Sequence, residues 1–374
     1  MSSLQSPSST PSKIFITGAT GFIGAHVASA ALRAGHRVRL SIRRAEQRER
    51  LESVLAPYLE RVEFAVVPDL ADVGLVQRAL VSSDGVDSIW HIASPMPTPG
   101  GDVRRHYVEP AVRSTVAVLE AAALANGTST GRRRIKSVLI MSSVVALKPM
   151  GSFGNDQTVT ANTGAVLPVD LDAAFPAGPA GEMAKYHASK ILAHQAYRDW
   201  VVRNKPSFLT LSFHPVFVIG RDLLLLQKSS TAAQELTGVN ALFWQSLTSE
   251  TAVVYSSFVD VADVALAFAR AFDAVTTTPV SASEGEEGEK KVKVKVKSGT
   301  EYLLAAPKTT WRDIAAFVRE RYPAVDVKLT PQGMDKPAGD VDTRPAEREL
   351  DLRWTPMEEY VGAVVEQKLA LKRE

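Results

Sequence analysis

The chain has 374 residues, enough for about two domains or for one large domain with an elaborated second lobe. Its hydrophobic content of 45% supports a sizeable buried core. With 43 basic and 41 acidic residues, the net charge of +2 offers no electrostatic handle for nucleic acid or an anionic membrane surface. The absence of cysteine excludes disulfides, thiol nucleophiles and thiolate-bound metal, and fits a reducing, cytoplasmic setting.

Residues Met1 to Ser12 are rich in Ser and Pro and read as a disordered tail rather than a secretory signal. No uninterrupted apolar run is long enough to span a bilayer. Ile14 to Thr17 then forms a short, apolar and β-branched strand, stopped by Gly18. From Phe22 to Ala34 apolar residues recur at helical spacing, and Gly35 ends the run. A strand, a glycine turn and a helix make a phosphate cradle, because the first helical N–H groups have no internal acceptor and the helix end carries partial positive charge. The expected cradle residues are Gly18, Thr20, Gly21, Phe22, Ile23 and Gly24, with the glycines spaced GxxGxxG.

Strands follow at His36–Ile42, Arg61–Val67, Val86–Ile92 and Ile135–Met141. Helices are predicted at Glu46–Ala56, Asp72–Val81 and Val103–Ala125, with Pro110 as a kink or restart, and Asn126–Arg134 reads as a loop. This rhythm predicts an α/β fold, a Rossmann-type doubly wound parallel sheet, with ligands bound beyond the carboxyl ends of the strands. Strand two ends in Arg43-Arg44 with no acid before Glu46. An arginine fork grips a ribose 2′-phosphate where an acid would repel it, so the expected cofactor is NADP(H). Asp69 and Leu70, ending strand three, either flank the adenine or cap the next helix. Ala93, Ser94 and Pro95, beyond His91 on strand four, are small enough for a cofactor to lie against their backbone.

Tyr186 and Lys190 lie four residues apart in a helical stretch expected from Gly181 to Val202, and so share a face. A phenol near pKa 10 is a poor acid at neutrality until a neighbouring ammonium favours its anion, which suits such a pair to general acid catalysis of carbonyl reduction. Ser142 and Ser143 emerge where strand five meets the same cleft.

TGATGFIG from Thr17, His91-Ile92-Ala93-Ser94-Pro95, Ser142-Ser143 and Tyr186 with Lys190 occur in an order that resembles the extended short-chain dehydrogenase/reductases. Pro110–Thr115 and Phe258–Ala265 look like that superfamily's dihydroflavonol-reductase, cinnamoyl-CoA-reductase and yeast-type aldehyde/ketone-reductase group. The resemblance spans roughly residues 13 to 275. It implies Tyr186 as proton donor, Lys190 as the residue holding the nicotinamide ribose, and Ser143 as the group polarising the carbonyl. It also implies that Pro215 to Val218 pass near the nicotinamide. The chain departs from relatives at Ser114 and Ala117, where Gly and Asn are usual, and at Val169–Phe175, which lacks a usual Trp.

Residues 13–215 are accordingly expected to be mainly the dinucleotide-binding domain, and 216–374 mainly a smaller α+β substrate lobe, with chain exchange between the two. Phe208–Phe213 reads as strand six. Leu223–Leu226, Leu242, Phe243, Trp244 and Tyr255 form an apolar set in irregular structure, either lobe core or substrate pocket. Val261–Ala274 is a helix capped by Asp260. Residues 281–298, acidic and then alternating Lys with Val, read as an exposed insertion before strand Glu301–Ala305. Helices Thr309–Arg321 and Met357–Lys372 close the lobe. The expected partner is a small carbonyl compound of apolar or aromatic character, with no nucleic acid or membrane, and the chain is expected to be a monomer or homodimer. The alternatives are a nucleotide-sugar epimerase or dehydratase of the same superfamily, and an NADP-sensing regulator without turnover.

Overall fold

The computed structural model of the chain describes residues 11–81, 84–94, 100–128, 134–152, 157–225, 235–276, 296–334 and 339–371. Strands β1 (Lys13–Thr17), β2 (Arg37–Ile42), β3 (Val62–Val66), β4 (Ser88–His91), β5 (Ser137–Met141) and β6 (Leu209–Pro215) alternate with helices. These are α1 (Phe22–Arg33), α2 (Gln47–Val54), α3 (Val73–Val81), α4 (Glu109–Thr128) and α5 (Gly178–Asn204). Beyond them come β7 (Phe217–Ile219), α6 (Gly238–Thr248), β8 (Phe258–Asp260), α7 (Val261–Thr276) and β9 (Thr300–Leu304). The last elements are α8 (Trp311–Arg321), α9 (Arg344–Leu350) and α10 (Met357–Leu371). Among the described residues, seven strands pair in the order β3-β2-β1-β4-β5-β6-β9, all parallel, as a doubly wound Rossmann sheet. β7 and β8 form a separate parallel pair.

The central strands β1, β4 and β5 are buried on both faces and do not alternate in polarity, whereas β2 and β3 towards the edge carry Arg37, Arg39 and Glu63. Ile14 and Ile16 of β1 pack into the core under α1 and α7, whereas Phe15 packs into the opposite core under α3, α4 and α5. The same division separates Leu139 and Met141 from Val138 and Ile140 on β5. Trp90 is fully buried, its ring 5.8 Å from both Phe268 and Phe272 of α7. A third core joins α6, α8 and α10 through Phe243, Trp311 and Tyr360. Among the described residues no helix is long and apolar enough to cross a membrane.

Three expectations change. Leu242, Phe243 and Trp244 lie on a regular helix, α6, and not in irregular structure. Val103–Val108 winds as a separate π-helical turn, so Pro110 falls in the first turn of α4, where its missing N–H is not needed. α4 runs on to Thr128, through residues expected to be loop, and Asn126 closes that end by bonding the Ile135 backbone N–H and carbonyl. β9 completes the edge of the large sheet beside β6, and α7 packs on α1, so two elements beyond residue 215 return to the nucleotide-binding layers. Of the expected insertion at 281–298, all but residues 296–298 lie outside the described residues.

Candidate active site

The strand order reverses between β1 and β4, and the crevice at their carboxyl ends is where a doubly wound sheet binds its ligand. Gly18 stands there at φ +78°, and a Cβ on it would lie 2.6 Å from the Ala93 nitrogen. Only glycine lets the ends of β1 and β4 approach so closely. A Cβ on Gly24 would lie 2.0 Å from the Gly18 carbonyl oxygen, so Gly24 serves the packing of α1 on the turn. Gly21 differs: it is exposed, and its Cβ would meet only the Gly18 oxygen at 3.5 Å. Its bare backbone therefore leaves free space in front of α1, where the N–H groups of Phe22, Ile23 and Gly24 lack helical acceptors. That space and that dipole suit a pyrophosphate.

A cavity of about 630 Å³ opens beside this turn, lined by Thr20, Arg44, Glu46, Gln47, Arg50 and Leu224 among others. Arg43 and Arg44 are exposed, and both of their backbone N–H groups donate to Gln47 Oε1, at 2.8 and 3.1 Å. Gln47 thus shapes the turn that presents the two guanidinium groups. Arg50, which donates to the Leu224 carbonyl, adds a third cation to the rim. Sequence reasoning missed Gln47 and Arg50, whose helix reads simply as a charged surface. Asp69 Oδ1 accepts from the Ala71 N–H at 2.8 Å, while Asp72 accepts from Leu75 and caps α3. Asp69 therefore closes a turn beside Leu70, and the capping role belongs to Asp72.

Tyr186 and Lys190 lie on one face of α5, with Lys190 Nζ 5.5 Å from the Tyr186 ring centre. Lys190 is buried, and its ammonium donates to Ser94 Oγ at 3.0 Å, across from the end of β4. This bond, joining residues 96 apart in sequence, ties the Tyr–Lys pair to the wall of the nucleotide crevice. Pro95 lies outside the described residues. Ser143 opens the turn Val144–Leu147 directly after β5, and α5 packs on that turn. Ser142 faces a cavity of about 20 Å³ behind Lys190 that Ser94, Ser114, Thr115 and His194 also line. Pro215 and Val218 are buried at the end of β6 and in β7.

His91 and His187 are held in hydrogen bonds within the fold. His91 is buried and paired with Thr17 Oγ1 at 2.8 Å; burial first, then the Lys190 charge, pushes its pKa down to about 4. His187 binds the Lys148 carbonyl at 2.9 Å and fastens α5 to the chain after β5. On the other side of α5, Tyr107 donates to Glu182, and Lys185 donates to the Gly101 carbonyl at 3.0 Å. These bonds fix the segment after β4 to the first turns of α5. Residues Asp170 to Phe175 are joined to it by Arg104 and Asp172, 2.6 Å apart. None of these contacts has a sequence signature, since each links residues dozens of positions apart.

Fold and site together define a dinucleotide-binding α/β protein with a Tyr–Lys pair on the rim of its cleft. The sequence pattern of the NAD dependent epimerase/dehydratase family matches residues 14–281, and the chain belongs to that family. It is 33% identical over 364 residues to ketoreductase sphI of Aspergillus fumigatus, covering 95% of this chain and 97% of that protein. It is 26% identical over 330 residues to a putative NADPH-dependent methylglyoxal reductase, GRP2, of Candida albicans, covering 87% of each. Among solved structures, Gre2 of Candida albicans in complex with NADPH superposes with a TM-score of 0.76 at 21% identity, over 96% of this chain and 99% of that one.

Proposed function

We propose that the chain is an NADP-dependent oxidoreductase that reduces an aldehyde or ketone to an alcohol. Bound NADPH supplies the hydride. The protein's own part is to hold the carbonyl and deliver a proton to its oxygen. Tyr186 is the proton donor, Lys190 orients Tyr186 and the nicotinamide ribose, and Ser143 hydrogen-bonds the carbonyl oxygen so that charge building there is met by two donors. Gly18, Thr20, Gly21, Phe22, Ile23 and Gly24 cradle the pyrophosphate. Arg43, assisted by Arg44, holds the 2′-phosphate. Asp69 and Leu70 border the adenine, Ala93 and Ser94 the ribose, and Pro215 and Val218 the nicotinamide. The residues after 215 that do not join the large sheet supply the substrate side.

The observation that carries this reading is the Lys190–Ser94 bond, which sets an acid–base pair at the crevice where a dinucleotide would lie. Relatives named as ketoreductase and as NADPH-dependent reductase support the same chemistry. The epimerase alternative favours tightly held NAD, against which the two exposed arginines at the end of β2 argue.

The test is oxidation of NADPH, followed by its absorbance, against aliphatic and aromatic aldehydes, α-diketones and aryl ketones. Turnover with NADPH and little with NADH is expected. Tight NADPH binding without turnover on any carbonyl would contradict the reading and favour a sensor.

A further inference from the structure

Behind the Tyr–Lys pair lies a buried polar array that the proposed mechanism does not use. His214, at the end of β6, is fully buried. Its Nδ1 lies 3.1 Å from the Ser143 carbonyl oxygen, and its Nε2 lies 2.9 Å from Ser212 Oγ. A carbonyl can only accept, so Nδ1 carries the proton and Nε2 accepts from the Ser212 hydroxyl. Burial first, then the neighbouring His194, pushes the His214 pKa down to about 3, so the ring stays neutral and keeps this one tautomer. The His194 ring meets it edge to face at 4.6 Å and 86°. His194, one turn beyond Lys190 on α5, donates from Nε2 to Glu301 Oε1 of β9 at 2.9 Å. Glu301 Oε2 in turn accepts the Asn162 N–H at 2.7 Å. The array therefore connects β6, α5, β9 and the turn after β5, and it converges on the backbone of Ser143.

We propose that His214 is a positioning residue: by holding the Ser143 carbonyl, with its ring set by the Glu301–His194 pair, it aims the Ser143 hydroxyl at the reacting carbonyl. The Ser143 carbonyl also accepts the Ala146 N–H at 3.0 Å, the bond that closes the turn Val144–Leu147. Losing the His214 donor leaves the Ser143 carbonyl with the Ala146 N–H alone to hold it. The serine would then sample several orientations, and a misplacement of even about 1 Å is costly in a catalytic constellation. This inference rests on the reading of Ser143 as the carbonyl-binding group.

Two variants separate the donor from mere volume. His214→Phe keeps a ring against His194 and removes both hydrogen bonds. His214→Asn places an amide N–H where Nδ1–H stood. With NADPH and the fastest-reduced carbonyl of the panel, the Phe variant should lose roughly tenfold to a hundredfold in kcat with little change in NADPH affinity. The Asn variant should recover most of it. In the background of Ser143→Ala, His214→Phe should cost no further activity, because residues acting as a unit are not additive. Full multiplication of the two losses would overturn the proposal.

Hydrogen exchange of the wild-type chain and both variants gives a second answer independent of turnover. Amides of residues 142–148 should exchange faster in His214→Phe and at the wild-type rate in His214→Asn; unchanged exchange in the Phe variant would overturn the positioning role. If Ser143→Ala alone leaves kcat intact, the carbonyl-binding reading of Ser143 fails, while exchange still decides whether His214 fixes the turn. Should His214→Phe not fold, Ser212→Ala takes its place. That variant removes the partner of Nε2 and should give a smaller loss with the same exchange signature, and no change in exchange would again overturn the proposal.

Discussion

The proposed cofactor preference is assigned to two side chains, Arg43 and Arg44. Their backbone N–H groups are held by Gln47, so the turn is fixed while both residues remain exposed, Arg44 at the rim of the large cavity. A charge-assisted hydrogen bond to a phosphate is worth about 1.5–3 kcal/mol. Arg43→Ala should therefore weaken NADPH binding roughly tenfold to a hundredfold and leave NADH binding nearly unchanged, as measured by fluorescence titration. Equal affinities for the two nucleotides in the wild-type chain would contradict the assignment. These arginines were legible in the sequence because they fall at the end of a strand whose position is set by the glycine turn. Gln47 and Arg50 were not, because nothing in a charged helix says which of its residues faces the crevice. Nor was the place of His214, since its partner Ser143 is 71 positions away.

The glycine turn shows how one element divides its labour among similar residues. Gly24 is required by packing, because a methyl group there would drive into the Gly18 carbonyl. Packing does not require Gly21, whose missing side chain would meet only the Gly18 oxygen at 3.5 Å, and the proposed function assigns it to the ligand instead. Gly24→Ala should therefore destabilise the fold by about 1–3 kcal/mol or more, the range for overpacking, in urea unfolding. Gly21→Ala should cost about 1 kcal/mol or less, as an N-cap change, yet raise the NADPH dissociation constant at least about tenfold. Equal stability losses in the two variants would undo this division. Most helices and strands of the sheet were legible because buried parallel strands and amphipathic helices have unlike periods. The place of β9 was not. Five residues carry no signal of which edge they join, and the choice is made by β6, whose outer backbone groups need a partner. α6 was missed because Leu242, Phe243 and Trp244 are consecutive and apolar, and its amphipathic spacing shows only once Phe243 and Leu247 are seen to be the buried pair.

Over the whole molecule, burial of neutral histidines sets the response to acid. His26 and His91 are pushed down to about 4 and His214 to about 3, in each case chiefly by burial. An unfolded histidine titrates near 6.5, so between these values the unfolded chain binds more protons than the folded one. Stability from these groups is complete above about pH 6.5 and is lost as pH falls towards 4, at about 2 kcal/mol each by pH 5. His36 and His187 shift in the same direction. Asp260, pushed up to about 6 by burial and by Asp263, acts in the opposite sense, but only below pH 6. Asp222, Asp263 and Asp273 also shift upward. Glu301, held down at about 2 by its bond from His194 against the upward push of burial, adds a further loss only below about pH 4.5. The urea midpoint should therefore fall steadily from pH 7 to pH 5. A flat or rising profile over that range would contradict the dominance of the buried histidines over the opposing aspartates.

Carbonyl reduction as proposed depends most directly on Tyr186 as the proton donor. Single-turnover reduction of the best carbonyl by enzyme saturated with NADPH should be roughly 10²–10⁴ slower in Tyr186→Phe than in the wild-type chain, with NADPH affinity unchanged. The phenyl ring keeps the packing on α5 and removes only the hydroxyl. A Tyr186→Phe enzyme that reduces the carbonyl at the wild-type rate would contradict the central claim, and with it the role given to Lys190.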